Sequence, residues 1–387
     1  MEPRVETISS EPSWVIENDE VRIALTLRGG HMAPVTFFRN SENPVQPYHV
    51  SPWQGEGLSI PDPVLRPLRG DFFCMPFGGG GVFKGIAHST HGEPATAIWQ
   101  AISLEQSGAL IQLTARMSSA MLGGRITKTV SVVSGQNAVY LRHVLEGYDL
   151  RAPLGHHATL AGSERPDSLL IATSPVQFGR VSPRPPHTFT SDGEYNALLA
   201  GATFRNIDKV PTVWKEMPFD SCAAFPRRRG FCDIIQVYNK PAGSPAWVTA
   251  VNPAQGWLWF ALKDPAVLPS TVFWMENHGR HGDPWRGRNC CLGLEDVCSN
   301  FAMGLAASAK RSELNQKGIP TTLKLSPAWP TAVNYIQGVA RIPKGFGRVQ
   351  TARFQEGMVL FTGQSGKSVR VGVDHSFLFS GEVGRDK

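Results

Sequence analysis

Between residues 97 and 147 the chain repeats one pattern: 110–117, 124–133 and 138–145 read as strands parted by turn residues, among them Ser134, Gly135, Gln136 and Asn137. Alternation with a period of two, broken by connections this short, belongs to strands joined as hairpins. Parallel strands need a crossover of a dozen or more residues, so the stretch predicts an antiparallel meander and argues against a doubly wound α/β fold. The same pattern appears at 13–17, 21–27 and 32–38, where Gly29 and Gly30 mark a bulge or a sharp change of direction. It returns at 231–238, 246–251 and 257–262. Gly and Pro number 39 and 30 of 387 residues and are spread along the chain, which supplies the turns that many short strands need. One helix is expected, at 301–314, Ala-rich and preceded by Ser299 and Asn300 as a cap. The expected fold is all-β with few short helices. Residues 1–387 read as a single domain with a long irregular insertion at 176–230, Pro-rich at 182–186 and acidic at 192–194.

Composition narrows the functional classes. The charged fraction of 18% and hydrophobic fraction of 41% are those of a soluble globular protein. A net charge of +6 without a long Lys/Arg run does not favour nucleic-acid binding. The one dense basic cluster, Arg227, Arg228 and Arg229, is either a solvated loop or an anion site. The six cysteines lack both the spacing of a disulfide scaffold and any CxxC pair. The first residues are polar and acidic, and no apolar run reaches membrane-spanning length. The expectation is a cytoplasmic, reduced protein without cofactor or membrane partner, a monomer or homodimer.

The chemically densest stretch is 274–300. It leaves an apolar run at Trp274, passes through a loop of His, Gly, Asp, Pro and Arg, and re-enters an apolar segment ending on Glu295. A carboxylate at the end of a Gly-containing apolar strand is either an ordinary solvent-facing strand end or a buried acid with a raised pKa. Two adjacent histidines, His156 and His157, open another apolar strand, and alternation allows only one of them to face a given site. His88 and His91 precede Gly92 in a loop, suited to a polar ligand or to a metal. The four glycines at 78–81 lack a following helix or a GK[ST] and read as a loop passing close to other backbone. Tyr48 and Trp53 read as loop anchors rather than ligand platforms.

Taken in order, several stretches resemble the aldose 1-epimerase (galactose mutarotase) superfamily, including its hexose-phosphate epimerase branch. They are 21–30 with its paired glycines, Arg69-Gly70 leading to Pro76-Phe77-Gly78, His91-Gly92 with Trp99 beyond, 126–145, His157, and Gly293-Leu294-Glu295. The resemblance spans roughly residues 20–300. It implies a large antiparallel β-supersandwich with a sugar, or sugar phosphate, on its concave face. It also implies Glu295 as general base and His157 as general acid in anomer interconversion, with His156 as the acid if the register is displaced by one. Arg69 and His91 would bind sugar hydroxyls, and Asp220 or Asp233 would be a further sugar-binding carboxylate; Trp274 is an aromatic that a sugar-binding face would use with or without turnover. The chain departs from the pattern at Asp296, where the family often has Pro, and at Ala158, Thr159 and Leu160, where it is usually aromatic. Three other readings remain: a sugar-binding protein without turnover, a lyase or hydrolase on the same scaffold, and a metal enzyme. The last would gather His88, His91, His156, His157, His278 and His281 around Glu295.

Overall fold

The computed structural model describes residues 3–183, 194–240 and 243–384. Residues 184–193, which carry most of the Pro-rich and acidic runs noted above, lie outside the described residues. Two large antiparallel sheets dominate. One has nine strands in the order Ala224–Phe225, Leu169–Thr173, Ala246–Asn252, Trp257–Lys263, Thr331–Arg341, Ala138–Glu146, Arg125–Val133, Leu110–Ser118 and Gln100–Ser107. The other runs Thr203–Phe204, Val176–Val181, Phe231–Asn239, Ser270–Asn277, Cys290–Cys298, Leu154–His156 and Phe73–Cys74, with Ala158–Ala161 also paired to Cys290–Cys298. The predicted meander is the last four strands of the first sheet. A four-stranded sheet from Val5 to Phe37, a three-stranded one from Val349 to Gly372 and three two-stranded ribbons make up the rest of the all-β architecture among the described residues.

The main core fills the space between the two large sheets, joining Leu141, Trp259 and Tyr335 of the first to Phe273, Leu292 and Leu294 of the second. Both sheets are also covered on their outer faces. Phe361 and Val371 of the C-terminal meander, with Phe346 from the turn before it, pack on Leu258, Phe260 and Leu262 of the nine-stranded sheet. This double cover explains why Trp257–Lys263 is buried at every position and reads as a continuous apolar run. The loop carrying Trp53, Val64, Leu68 and Phe72 packs on Val272, Trp274 and Val297 of the second sheet. Trp53 donates its indole N–H to Leu65 O at 2.7 Å, and the Tyr48 hydroxyl receives the Trp259 indole N–H at 3.1 Å, so both aromatics anchor their loop.

Two local expectations need correction. The helix expected over 301–314 is two short pieces, Gly304–Ala309 and Glu313–Gln316. Ser312 begins a fresh capping box with Asn315, and the Ser308 carbonyl is taken by the Thr321 hydroxyl at 2.8 Å, so the first helix cannot run on. Its start has no side-chain cap; Ser299 and Asn300 do not serve. Glu295 is not a strand end: Cys290–Cys298 continues three residues beyond it, with all but its first residue buried. Among the described residues of 176–230 the chain forms the strand Val176–Val181, paired to Phe231–Asn239, and four two-residue strands. Among the described residues no helix is long and apolar enough to cross a membrane.

Candidate active site

Register places the key pair. Gly155 lies opposite Val297 and Ala158 opposite Leu294, so the intervening residues set His156 across from Asp296 and His157 across from Glu295. On the other side of its strand Glu295 faces Val272. Because side chains alternate, Glu295 and His157 share one face while Asp296 and His156 share the other. Gly293, two residues before Glu295 on the same face, makes the geometry possible. A Cβ there would stand 2.5 Å from Glu295 Oε1 and 3.0 Å from the Trp274 Cβ, so the carboxyl folds back over bare backbone.

Glu295 is 2% exposed, and its Oε1 lies 3.2 Å from His157 Nε2. The other imidazole nitrogen, Nδ1, is 3.1 Å from the Thr159 hydroxyl. The ring is held by stacking: Phe72 lies against it at 4.5 Å between centroids, and His31 lies against the far face of Phe72 at 4.1 Å. His91 meets its edge at 4.8 Å and Trp274 at 5.9 Å. Burial pushes the Glu295 carboxyl well above the usual range. Burial, assisted by neighbouring histidines, pushes His157 well below the ordinary imidazole value. The resting pair therefore shares one proton. With the proton on Glu295, Nε2 accepts and Nδ1–H donates to Thr159; moved to Nε2, the same proton makes an imidazolium beside a carboxylate, and Nδ1–H still donates to Thr159.

His91 is fixed by its turn. Its backbone is left-handed, and the next residue, Gly92, sits where a Cβ would come within 2.1 Å of Met75 O. Its Nδ1 accepts the Gly78 N–H at 3.4 Å, and burial lowers its pKa to about 4, so the neutral ring carries its proton on Nε2. These groups border a cavity of about 160 Å³ whose lining also includes Thr90, Leu65, Trp274, Arg280 and Trp285. The Arg280 guanidinium stacks over the Trp285 ring at 4.3 Å with the Glu276 carboxyl as its charged neighbour. Glu276 is pushed up to about 7 by burial while accepting the N–H groups of Gly279 and Arg280.

Four of the sequence candidates, Glu295, His157, His91 and Trp274, thus meet at one cavity. The others do not. His156 faces the sandwich interior, its Nδ1 2.9 Å from Asp71 and its ring stacked on Tyr335 at 4.1 Å. Arg69 is buried elsewhere, donating to the carbonyls of Pro67, Ile8 and Ser9 at 3.0 Å each and to Gln54 at 2.6 Å; it ties the N-terminal hairpin down. Asp233 precedes Ile234, which lines the cavity, and so points away from it. Its carboxylate accepts the N–H groups of Ala197 and Leu198, and burial raises its pKa to about 6. Asp220 is paired to Arg227 at 2.9 Å and Arg228 at 3.0 Å beside a separate, smaller cavity. Of the six histidines considered for a metal, only His91 and His157 line the Glu295 cavity among the described residues. His278 lies 2.9 Å from Gly287 O and 3.3 Å from Glu164. Sequence reasoning missed Thr90, Arg280 and the 64–68 loop; an arginine five residues before a tryptophan in a loop is too weak a signal to find them.

No protein-family model matches the chain, and no curated protein matches it in sequence. Solved structures do match in fold. A galactose mutarotase-like protein from Clostridium acetobutylicum superposes with a TM-score of 0.58 at 11% identity, covering 88% of this chain and 98% of that one. A candidate aldose 1-epimerase from Klebsiella pneumoniae gives 0.58 at 13% identity, covering 86% and 80%. A galactose mutarotase-like protein from Lactobacillus casei gives 0.53 at 12% identity, covering 85% and 100%. The chain has the galactose mutarotase-like fold.

Proposed function

We propose that the cavity binds an aldose and that Glu295 and His157 interconvert its α and β anomers by acid–base catalysis. The observation that carries this reading is the buried Glu295–His157 pair, 3.2 Å apart and open to a cavity, on a mutarotase-like scaffold. Anomer exchange requires one group to take the proton of the anomeric hydroxyl while another delivers a proton to the ring oxygen, so that the ring opens, rotates and recloses on the other face. Two groups sharing one proton satisfy this in both directions. As base, Glu295 accepts the O1 proton; as acid, His157 protonates O5; on closure they exchange roles. Burial raises the carboxyl and depresses the imidazole, so the resting proton sits on Glu295 and moves to Nε2 as the pair takes up these roles. His91 Nε2–H is a donor for an adjacent hydroxyl, and the face of Trp274 suits the C–H groups of a sugar ring.

The test is NMR saturation transfer between anomers over a panel of free and phosphorylated aldoses. The expected result is faster exchange for at least one sugar, reduced about 10²-fold or more in Glu295→Gln and in His157→Ala. Exchange unchanged in both variants would refute the assignment, and sugar binding without exchange would make the chain a binding protein.

A further inference from the structure

We infer that the preferred ligand is an aldose whose non-reducing half is apolar, either deoxygenated there or bearing an alkyl, acyl or aryl group. The inference rests on reading the cavity as an aldose site and adds the class of sugar. Every hydroxyl that a sugar carries into a closed site must recover the hydrogen bonds it made to water. Much of the cavity wall offers none. Val64, Leu65, Leu68, Val272, Trp274 and Trp285 line it, and all belong to one hydrophobic cluster that packs the loop onto the second sheet. Trp53 stands edge-on behind Trp285 at 4.8 Å and Trp274 edge-on beside it at 5.7 Å, which fixes the indole that forms part of this wall. The cavity is therefore an opening in a core, and an apolar group would fill it as a core side chain would.

The polar lining is largely committed. His157 touches both Glu295 and His91, and the three serve the anomeric end. Asp62 accepts the Val64 N–H at 3.3 Å, where it starts a short helical turn. Arg280 lies over the Trp285 ring with Glu276 beside it, so an incoming phosphate would also meet a carboxyl. The basic cluster that suggested an anionic substrate lies elsewhere and is neutralised. Arg227 pairs with Asp167 and Asp220, Arg228 with Asp220, and Arg229 with Glu164.

The experiment is calorimetric titration of the full chain with four probes that keep a free anomeric centre: D-glucose, its 6-phosphate, 6-deoxy-D-glucose and 4,6-O-benzylidene-D-glucose. The galacto series is run in parallel. The benzylidene sugar is expected to bind about tenfold or more tightly than the parent hexose, ~1.4 kcal/mol, with the 6-deoxy sugar between them. Leu65→Gln, which puts an amide into the apolar wall, should shrink that preference to within about twofold, and an undiminished preference in this variant would count against the apolar wall as its source. Parent hexose or phosphate binding as tightly as the benzylidene sugar, or no probe binding at all, would overturn the inference. Anomer exchange measured on the same samples separates the two claims. Preference without exchange removes the acid–base reading and keeps the apolar ligand; exchange without preference does the reverse.

Discussion

The two faces of the strand pair beneath the cavity hold nearly the same chemistry and treat it oppositely. Toward the sandwich interior stand His156 and Asp296; one residue along, toward the cavity, stand His157 and Glu295. Asp296 receives Lys263 Nζ at 2.5 Å, the Thr271 hydroxyl at 2.6 Å and the Tyr335 hydroxyl at 2.7 Å. His156 has Asp71 for a partner and Tyr335 to stack on. Glu295 has a neutral imidazole at 3.2 Å and apolar Val272 across the strand. A buried carboxylate with three donors, one of them a cation, is a fixture of the fold. A buried carboxyl with one neighbour and an opening beside it is poised to exchange a proton.

The sharpest way to break this contrast is to strip the interior face. Lys263→Met leaves Asp296 buried without its cation and is expected to cost about 3–5 kcal/mol in urea unfolding. A loss under 1 kcal/mol would mean that the interior pair is no fixture. Gly293→Ala probes the cavity face through backbone alone. Its new methyl displaces the flexible end of Glu295, so stability should change by about 1 kcal/mol while anomer exchange falls about 10²-fold. Equal exchange in this variant would show that the carboxyl need not fold over the glycine. The smallest effect has the opposite sign. Because the folded state holds the Glu295 proton more tightly than the unfolded chain does, wild type loses stability as pH rises above the unfolded carboxyl value of about 4.5. Glu295→Gln removes that loss, so it should unfold about 1 kcal/mol later at neutral pH and not differ below pH 4. Thermal melts across pH 4–8 would show the divergence, and parallel curves would contradict it.

How much of this could be read from the sequence depended on how local the signal was. The strands 110–117, 138–145 and 257–262 were legible because period and turns lie within a few residues, and the observed elements match them within two residues. Glu295 and His157 stood out as polar residues inside apolar runs, and alternation correctly required the two adjacent histidines to part. Which one faced the cavity was set by pairing to a strand some 140 residues away. The same limit explains Arg69, whose motif-like setting gave no hint that its guanidinium reaches back to Ile8 and Ser9. Asp233 failed for a different reason: a one-residue choice of face on the strand Phe231–Asn239 decides which cavity it borders.

The strand order of the larger sheet bears on how the chain is made. Thr331–Arg341 is its fifth and central strand, yet it is the last of the nine to be synthesised. Until it arrives, Ala138–Glu146 and Trp257–Lys263 each have one open side, the latter with the sequence WLWFALK. A nascent chain halted before residue 331 thus presents two unpaired apolar edges, the kind that recruit neighbouring chains. Keeping that interval short, or shielded, is a demand the fold places on the ribosome's surroundings rather than on the folded protein.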